Sequence, residues 1–231
     1  MRALPGRQSR SSSDAPPASV TRTSAHADQR RRILRAVGEL VGERGYGDVT
    51  VELIVKRARV SFKTFYKHFP DREACLLALC EIAFDSSERK IRERLDAEPG
   101  PWPEQVALAL RTLIELIVVE PVLARAVIVE SPTAGPAITA RYEQATKALV
   151  PLLREGRAFN PRGAELPETL EDTLAGAIFW SAYQRLMVGE AEQLPASVPV
   201  LVELVLRSYI GPAEASRIAR AEAPDLQPAL A

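Results

Sequence analysis

From Ser61 to Phe69 the chain reads SFKTFYKHF, and six of these nine side chains can donate or accept a hydrogen bond. The spacing sorts them into two sides. Phe65 and Phe69 are four apart, which places both rings on one side of a helix, and Lys63, Tyr66 and Lys67 then share the other, with Thr64 and His68 at its margins and Phe62 exposed at the start. A short rod that is apolar behind and cationic in front suits an anionic polymer. Its amines and phenol reach phosphates, and the free N–H groups of its first turn add further donors. At the leading end, Phe62 is a candidate for a thymine methyl and Lys63 for guanine acceptors. Thr64, Tyr66, Lys67 and His68 are placed for phosphates, as are Thr50 and Arg72, which flank the N-termini of neighbouring helices.

The elements that position this rod are legible from caps and stripes. Thr50 caps a helix running to Ala58, with Glu52 in its first turn and Val51, Ile54, Val55 and Ala58 on one apolar face. Arg59 and Val60 form the turn, Ser61 caps the rod, Pro70 ends it and Asp71 caps the next helix. For Thr50 and Ser61, capping alone and capping combined with nucleic-acid contact are both open. Tyr66 is likewise open to half-buried packing. Upstream, Ile33, Val37, Leu40 and Val41 make an apolar stripe that ends in Gly45-Tyr46, a glycine C-terminus followed by a hydrophobic contact.

With these residues in place, the segment 27–79 resembles the DNA-binding domain of the TetR (tetracycline-repressor-like) family of bacterial transcriptional regulators. The resemblance is carried by Gly45-Tyr46, Thr50-Val51, Ile54, Ala58, Val60-Ser61, Thr64, Tyr66, His68-Phe69 and Asp71-Arg72-Glu73, and covers about a quarter of the chain. Two positions depart from it: Arg59 stands where the family favours a small residue in the turn, and Lys63 where it often has Gly. The resemblance implies an all-α chain in which a three-helix helix-turn-helix domain joins a helical ligand-binding and dimerisation domain. It also implies a homodimer on a palindromic operator, released by a small molecule, with repression the usual outcome. A helical ligand-binding or interaction protein without a specific DNA role is the alternative.

Charge bears on the same question independently. The 231 residues carry 30 Lys plus Arg and 30 Asp plus Glu, a balance that conceals an asymmetry. Residues 1–72 hold 15 basic and 7 acidic side chains, a net of +8, and residues 73–231 hold 15 and 23, a net of −8. One end suits phosphate and the other repels it. Residues 1–26 lack hydrophobic periodicity and read as a disordered basic tail, open either to reaching along a groove or to plain solvation. The boundaries that follow are 27–72 for the DNA-binding domain, 73–223 for the ligand-binding and dimerisation domain, and 224–231 for a flexible C-terminal tail.

Beyond Arg72 the pattern is helix after helix, punctuated by Pro and Gly. Helices are expected over 72–97, 103–120, 121–130, 134–156 with a kink at Pro151, 168–188, 197–209 and 213–223, with a loop at 160–167. In the last two long helices, Leu170, Leu174, Ala177, Ile178, Ser181 and Arg185, and then Val198, Leu201, Leu204, Val205 and Tyr209, fall on stripes that read as a dimer interface, with the subunit's own core as the other possibility. Phe84, Leu110, Leu113, Ile114, Ile117, Val118, Phe179, Trp180, Tyr183 and Met187 supply apolar and aromatic surface for an effector pocket, with Glu115, Arg141, Tyr142 and Gln144 as polar anchors; for each singly, ordinary core packing competes.

Other classes find little support. His26 and His68 are the only histidines, one in the expected tail and one in the rod, and no nucleophile elbow, phosphate loop or metal-ligand cluster occurs. The chain reads as a non-enzyme needing no cofactor. The adjacent Glu171 and Asp172 point apart on a helix and suit a solvated face. Cys75 and Cys80 lie about 140° apart around a helix and read as packing groups. No segment is apolar enough to span a membrane and no signal-peptide core is present, so a cytoplasmic protein is expected.

Overall fold

The computed structural model describes the backbone of residues 18–222 and side chains from Ala25 onward. Among the described residues there are eleven α-helices and no strand. The head consists of α1 (Ala18–Arg44), α2 (Val51–Ala58) and α3 (Phe62–His68). The long α4 (Arg72–Ala97) leads into a body of α5 (Trp102–Val119), α6 (Pro121–Ala124), α7 (Pro136–Lys147), α8 (Val150–Glu155), α9 (Leu170–Met187), α10 (Val198–Ile210) and α11 (Pro212–Ala221).

The caps form as their side chains dictate. Thr50, Ser61 and Asp71 accept from the backbone N–H groups of Leu53, Thr64 and Ala74 at 3.3, 3.1 and 2.7 Å, each satisfying a donor the first turn would otherwise leave free. Gly45 ends α1 at φ 84°, a left-handed conformation that glycine adopts without steric cost. Ile33, Val37, Leu40 and Val41 are buried against Val49, Ile54 and Phe65, so α2 and α3 rest on α1. Arg57 adds an ion pair from α2 to Glu39 and Glu43 of α1, at 3.1 and 2.9 Å.

Several boundaries differ from expectation. Helix α1 begins at Ala18 rather than near residue 27, because extending a helix already nucleated and packed at its far end costs little; residues 1–17 of the expected tail, and 224–231, lie outside the described residues. The expected helix 134–156 divides between Lys147 and Val150, and Pro151, which cannot donate an N–H, sits in the first turn of α8. The segment 121–130 is one turn of α6 followed by a π-helical turn, Arg125–Glu130. Glu171 is a correction as well: far from being solvated, it is fully buried. Arg157 donates to its two carboxylate oxygens at 2.8 and 2.9 Å and the Tyr209 hydroxyl to one of them at 3.0 Å. Burial pushes this carboxyl up, but the donated hydrogen bonds outweigh it and hold it below its ordinary value. Cys75 and Cys80 are both free and buried, and burial pushes their thiols up to about 12 and about 11.

Candidate functional site

Helix α3 presents the surface its sequence describes. Phe65 and Phe69 are buried, with ring centroids 6.0 Å apart, and they anchor the helix so that Phe62, Lys63, Tyr66 and Lys67 face solvent. Phe62 and Tyr66 are about half exposed, at 49% and 56%. Large apolar groups held out beside two ammonium groups point to a surface that meets something. Thr50 and Ser61 are exposed, so each cap remains accessible; Thr64 is half-buried and its hydroxyl lies 2.9 Å from that of Ser61. Arg59, in the turn before α3, is exposed and left-handed at φ 52°.

Two expected phosphate contacts are placed differently. Arg72 turns inward: its guanidinium donates to the Tyr46 carbonyl at 3.2 Å and to the Val49 carbonyl, and lies 4.4 Å from the centre of the Tyr46 ring. The Tyr46 carbonyl also accepts from the Val49 N–H at 3.2 Å, so Arg72 is its second donor, and a half-buried cation is best satisfied by such backbone carbonyls. His68 packs against α1, its ring centroid 4.0 Å from that of His26, and its Nε2 is buried without a partner among the described residues. Burial, then the nearby charges of His26, Lys67 and Arg30, hold this imidazole below its ordinary value.

The body contains a cleft of about 460 Å³ between α4, α5, α6 with its π-helical extension, α7, α8 and α9. Of the residues expected to line a pocket, Phe84, Leu113, Ile117 and Phe179 do so, and Val118 does not. Leu110 and Ile114, on another side of α5, are packed into the core at 1% exposure. Tyr142 stands behind the wall, edge-on to Phe84 and Phe179 at 6.3 and 5.9 Å. Trp180 and Met187 are exposed on the outside of α9, and Tyr183 stacks on Trp180 at 5.2 Å, away from the cleft. Among the polar anchors, Arg141 is paired with Asp85 and Glu88 at 2.7 and 3.6 Å, while Glu115 and Gln144 face solvent. The wall residues missed from the sequence include Ile91, Leu95 and Leu149; the stripe Phe84, Ile91, Leu95 on α4 was the available signal.

The expected dimer stripe is also corrected. Leu174, Ile178, Val198, Leu201 and Val205 are buried in their own subunit, Ser181 is half-buried, and exposed Arg185 is held by Glu190 and Gln193 at 2.7 and 2.9 Å. Of the expected stripe Leu204 of α10 does face outward, together with Trp180 and Met187 of α9, Val188 just after it and Val200 of α10. At Gly176 a Cβ would meet nothing within 4 Å.

A capped helix-turn-helix head on an all-helical body with its own cleft defines a class, that of bacterial DNA-binding regulators. Residues 33–79 match the family profile described as bacterial regulatory proteins, tetR family, so the head is of that family's kind. The HTH-type transcriptional regulator YdgC of Bacillus subtilis is 32% identical over 94 residues, which are 41% of this chain and 48% of YdgC, so the match spans about half of that relative's length. The fold is similar to that of FadR from Bacillus subtilis in complex with stearoyl-CoA, with a TM-score of 0.64, 20% identity, and 76% of this chain and 97% of that one covered. RolR in complex with resorcinol is similar at a TM-score of 0.57 and 23% identity, with 88% and 98% covered. Among the described residues no helix is long and apolar enough to cross a membrane.

Proposed function

We propose that this chain is a cytoplasmic transcriptional repressor that binds a palindromic operator as a homodimer and is released from it by a small molecule. The observation that carries the reading is α3 itself: Phe65 and Phe69 clamp it to the head, and Phe62, Lys63, Tyr66 and Lys67 stand in solvent on the opposite side. That is the geometry by which a recognition helix enters a major groove. Phe62 and Lys63 read bases, and Thr50, Ser61, Thr64, Tyr66 and Lys67 position the backbone. The outward residues Trp180, Met187, Val200 and Leu204 form the two-fold interface, since an exposed apolar stripe of this size on adjacent helices calls for a covering surface. Stearoyl-CoA and resorcinol, seen with two proteins of similar fold, differ so much in size and polarity that likeness supports a small-molecule effector without choosing one.

The test is a gel-shift titration of the full-length protein against DNA flanking its own gene, beside an unrelated duplex of equal length. The reading requires preference for a site whose half-sites lie about one helical turn apart. Equal affinity for both duplexes at all salt concentrations sinks it.

A further inference from the structure

Which class of molecule the cleft takes is decided by its wall, granted the ligand-responsive reading above. Phe84, Leu113, Ile117, Leu149, Leu152 and Phe179 line its inner part and carry no polar side-chain atom. The polar lining residues are Ser86, Ser87, Glu88, Lys90, Arg92 and Glu120, along α4 and at the end of α5. Three of these are engaged already: the Ser87 hydroxyl donates to the Ala83 carbonyl at 2.9 Å, the Ser86 hydroxyl accepts from Arg89 at 3.2 Å, and Glu88 faces Arg141. Lys90 and Arg92 are exposed and, among the described residues, have no salt-bridge partner.

A ligand with hydroxyls or amides along its length would bury those that meet the apolar wall without side-chain partners, which costs free energy. Hydrocarbon meets no such penalty and gains by leaving water. The volume falls within the roughly 300–1,000 Å³ of small-molecule sites. The α4 rim supplies cations for the end of the molecule that stays wet. We propose that the cleft takes a long unbranched acyl chain ending in an anionic head, the chain against the apolar wall and the head beside Lys90 and Arg92. A free fatty acid and a coenzyme A thioester share this chemistry.

Equilibrium dialysis of the full-length protein against radiolabelled hexadecanoate, hexadecanoyl-CoA, octanoate and 1-hexadecanol tests the inference and separates the two sources. Saturable binding of hexadecanoate alone, or of the thioester at least as tightly, is expected and names the source. Octanoate should bind at least about a hundredfold more weakly, having lost eight buried methylenes, and 1-hexadecanol about tenfold more weakly. The double variant K90E/R92E, altered only at exposed positions, should lose about tenfold for the anion and keep its affinity for the alcohol. No saturable binding of either anion overturns the inference, as does an alcohol that binds as tightly as the acid or a double variant that binds the anion like wild type. Operator binding by a protein that ignores all four compounds sinks only the ligand class. Acyl binding by a protein that ignores DNA sinks only the regulator reading.

Discussion

Glu130 and Tyr46, 84 positions apart in the chain, are joined directly: Oε2 of Glu130 accepts a hydrogen bond from the backbone N–H of Tyr46 at 3.4 Å. Its other oxygen accepts from Arg125 at 3.1 Å, and Arg125 donates onward to the Leu186 carbonyl at the end of α9 at 2.9 Å. Arg125 and Glu130 bound the π-helical turn, and Val127 and Ile128 within that turn line the cleft. One short segment thus touches the cleft, the outward-facing helix and the turn between α1 and α2; π-helical turns recur at functional positions. Glu130→Ala should lower stability by about 1–3 kcal/mol in urea unfolding, because Arg125 loses its acid and Tyr46 its acceptor. It should also speed hydrogen exchange at the Tyr46 amide. Exchange at the wild-type rate would show that the head does not depend on this link.

Arg59 occupies a left-handed conformation, φ 52° and ψ 51°, at the C-terminus of α2. A side chain costs about 1–2 kcal/mol there, and glycine avoids most of it while losing more freedom on folding. Arg59→Gly should therefore stabilise the protein by about 0.5–1 kcal/mol in thermal denaturation. A parallel decrease in the salt dependence of operator binding would show that the arginine also meets a phosphate.

Lys63 and the pair Tyr66 and Lys67 should separate in a binding assay. Lys63→Ala should relax preference at one base pair by about 1–3 kcal/mol if the amine reads a base edge, while Tyr66→Phe and Lys67→Ala weaken all sequences alike. All three are exposed, so circular dichroism should be unchanged. Uniform weakening by Lys63→Ala would move that residue to the backbone-contacting set.

His68 makes the head sensitive to acid. Its folded value lies below the ordinary imidazole range, so the unfolded chain binds the proton more readily. The stability it allows is complete above the unfolded value of about 6.5 and declines as pH falls through that value toward the depressed folded one. His68→Asn should flatten melting temperature against pH between about 7.5 and 5.5, and an unchanged slope would assign the acid sensitivity elsewhere.

The outward face of α9 and α10 is open to a clean contrast. Trp180→Asp and Leu204→Asp alter exposed side chains and should give folded monomers by sedimentation, with operator affinity down at least about tenfold through loss of paired half-sites. Ile178→Asp, at 0% exposure, should instead unfold the subunit, since it buries a charge in the core. Dimers of unchanged affinity from the first two variants would place the interface on another surface.

What could be seen in the chain beforehand was local. The caps at Thr50, Ser61 and Asp71 close over three residues, and the inward turn of Phe65 and Phe69 follows from helical spacing alone, so the two-part all-α plan and the exposed side of α3 were legible. The carbonyls that capture Arg72 lie 26 and 23 residues away, and the ring beside His68 belongs to α1; neither leaves a periodic signal. Helix α9 has apolar residues on both sides, Leu174 and Ile178 on one and Trp180 and Met187 on the other. Periodicity there offers two faces and cannot choose between them. Packing against α10, the π-helical turn and α8 made the choice, and the same packing divided Leu110 and Ile114 in the core from Leu113 and Ile117 at the cleft. Sequence by itself determined which helices form and which way α3 faces, because those depend on neighbours a turn or two away; tertiary structure decided which apolar surfaces meet, because that depends on where distant helices come to rest.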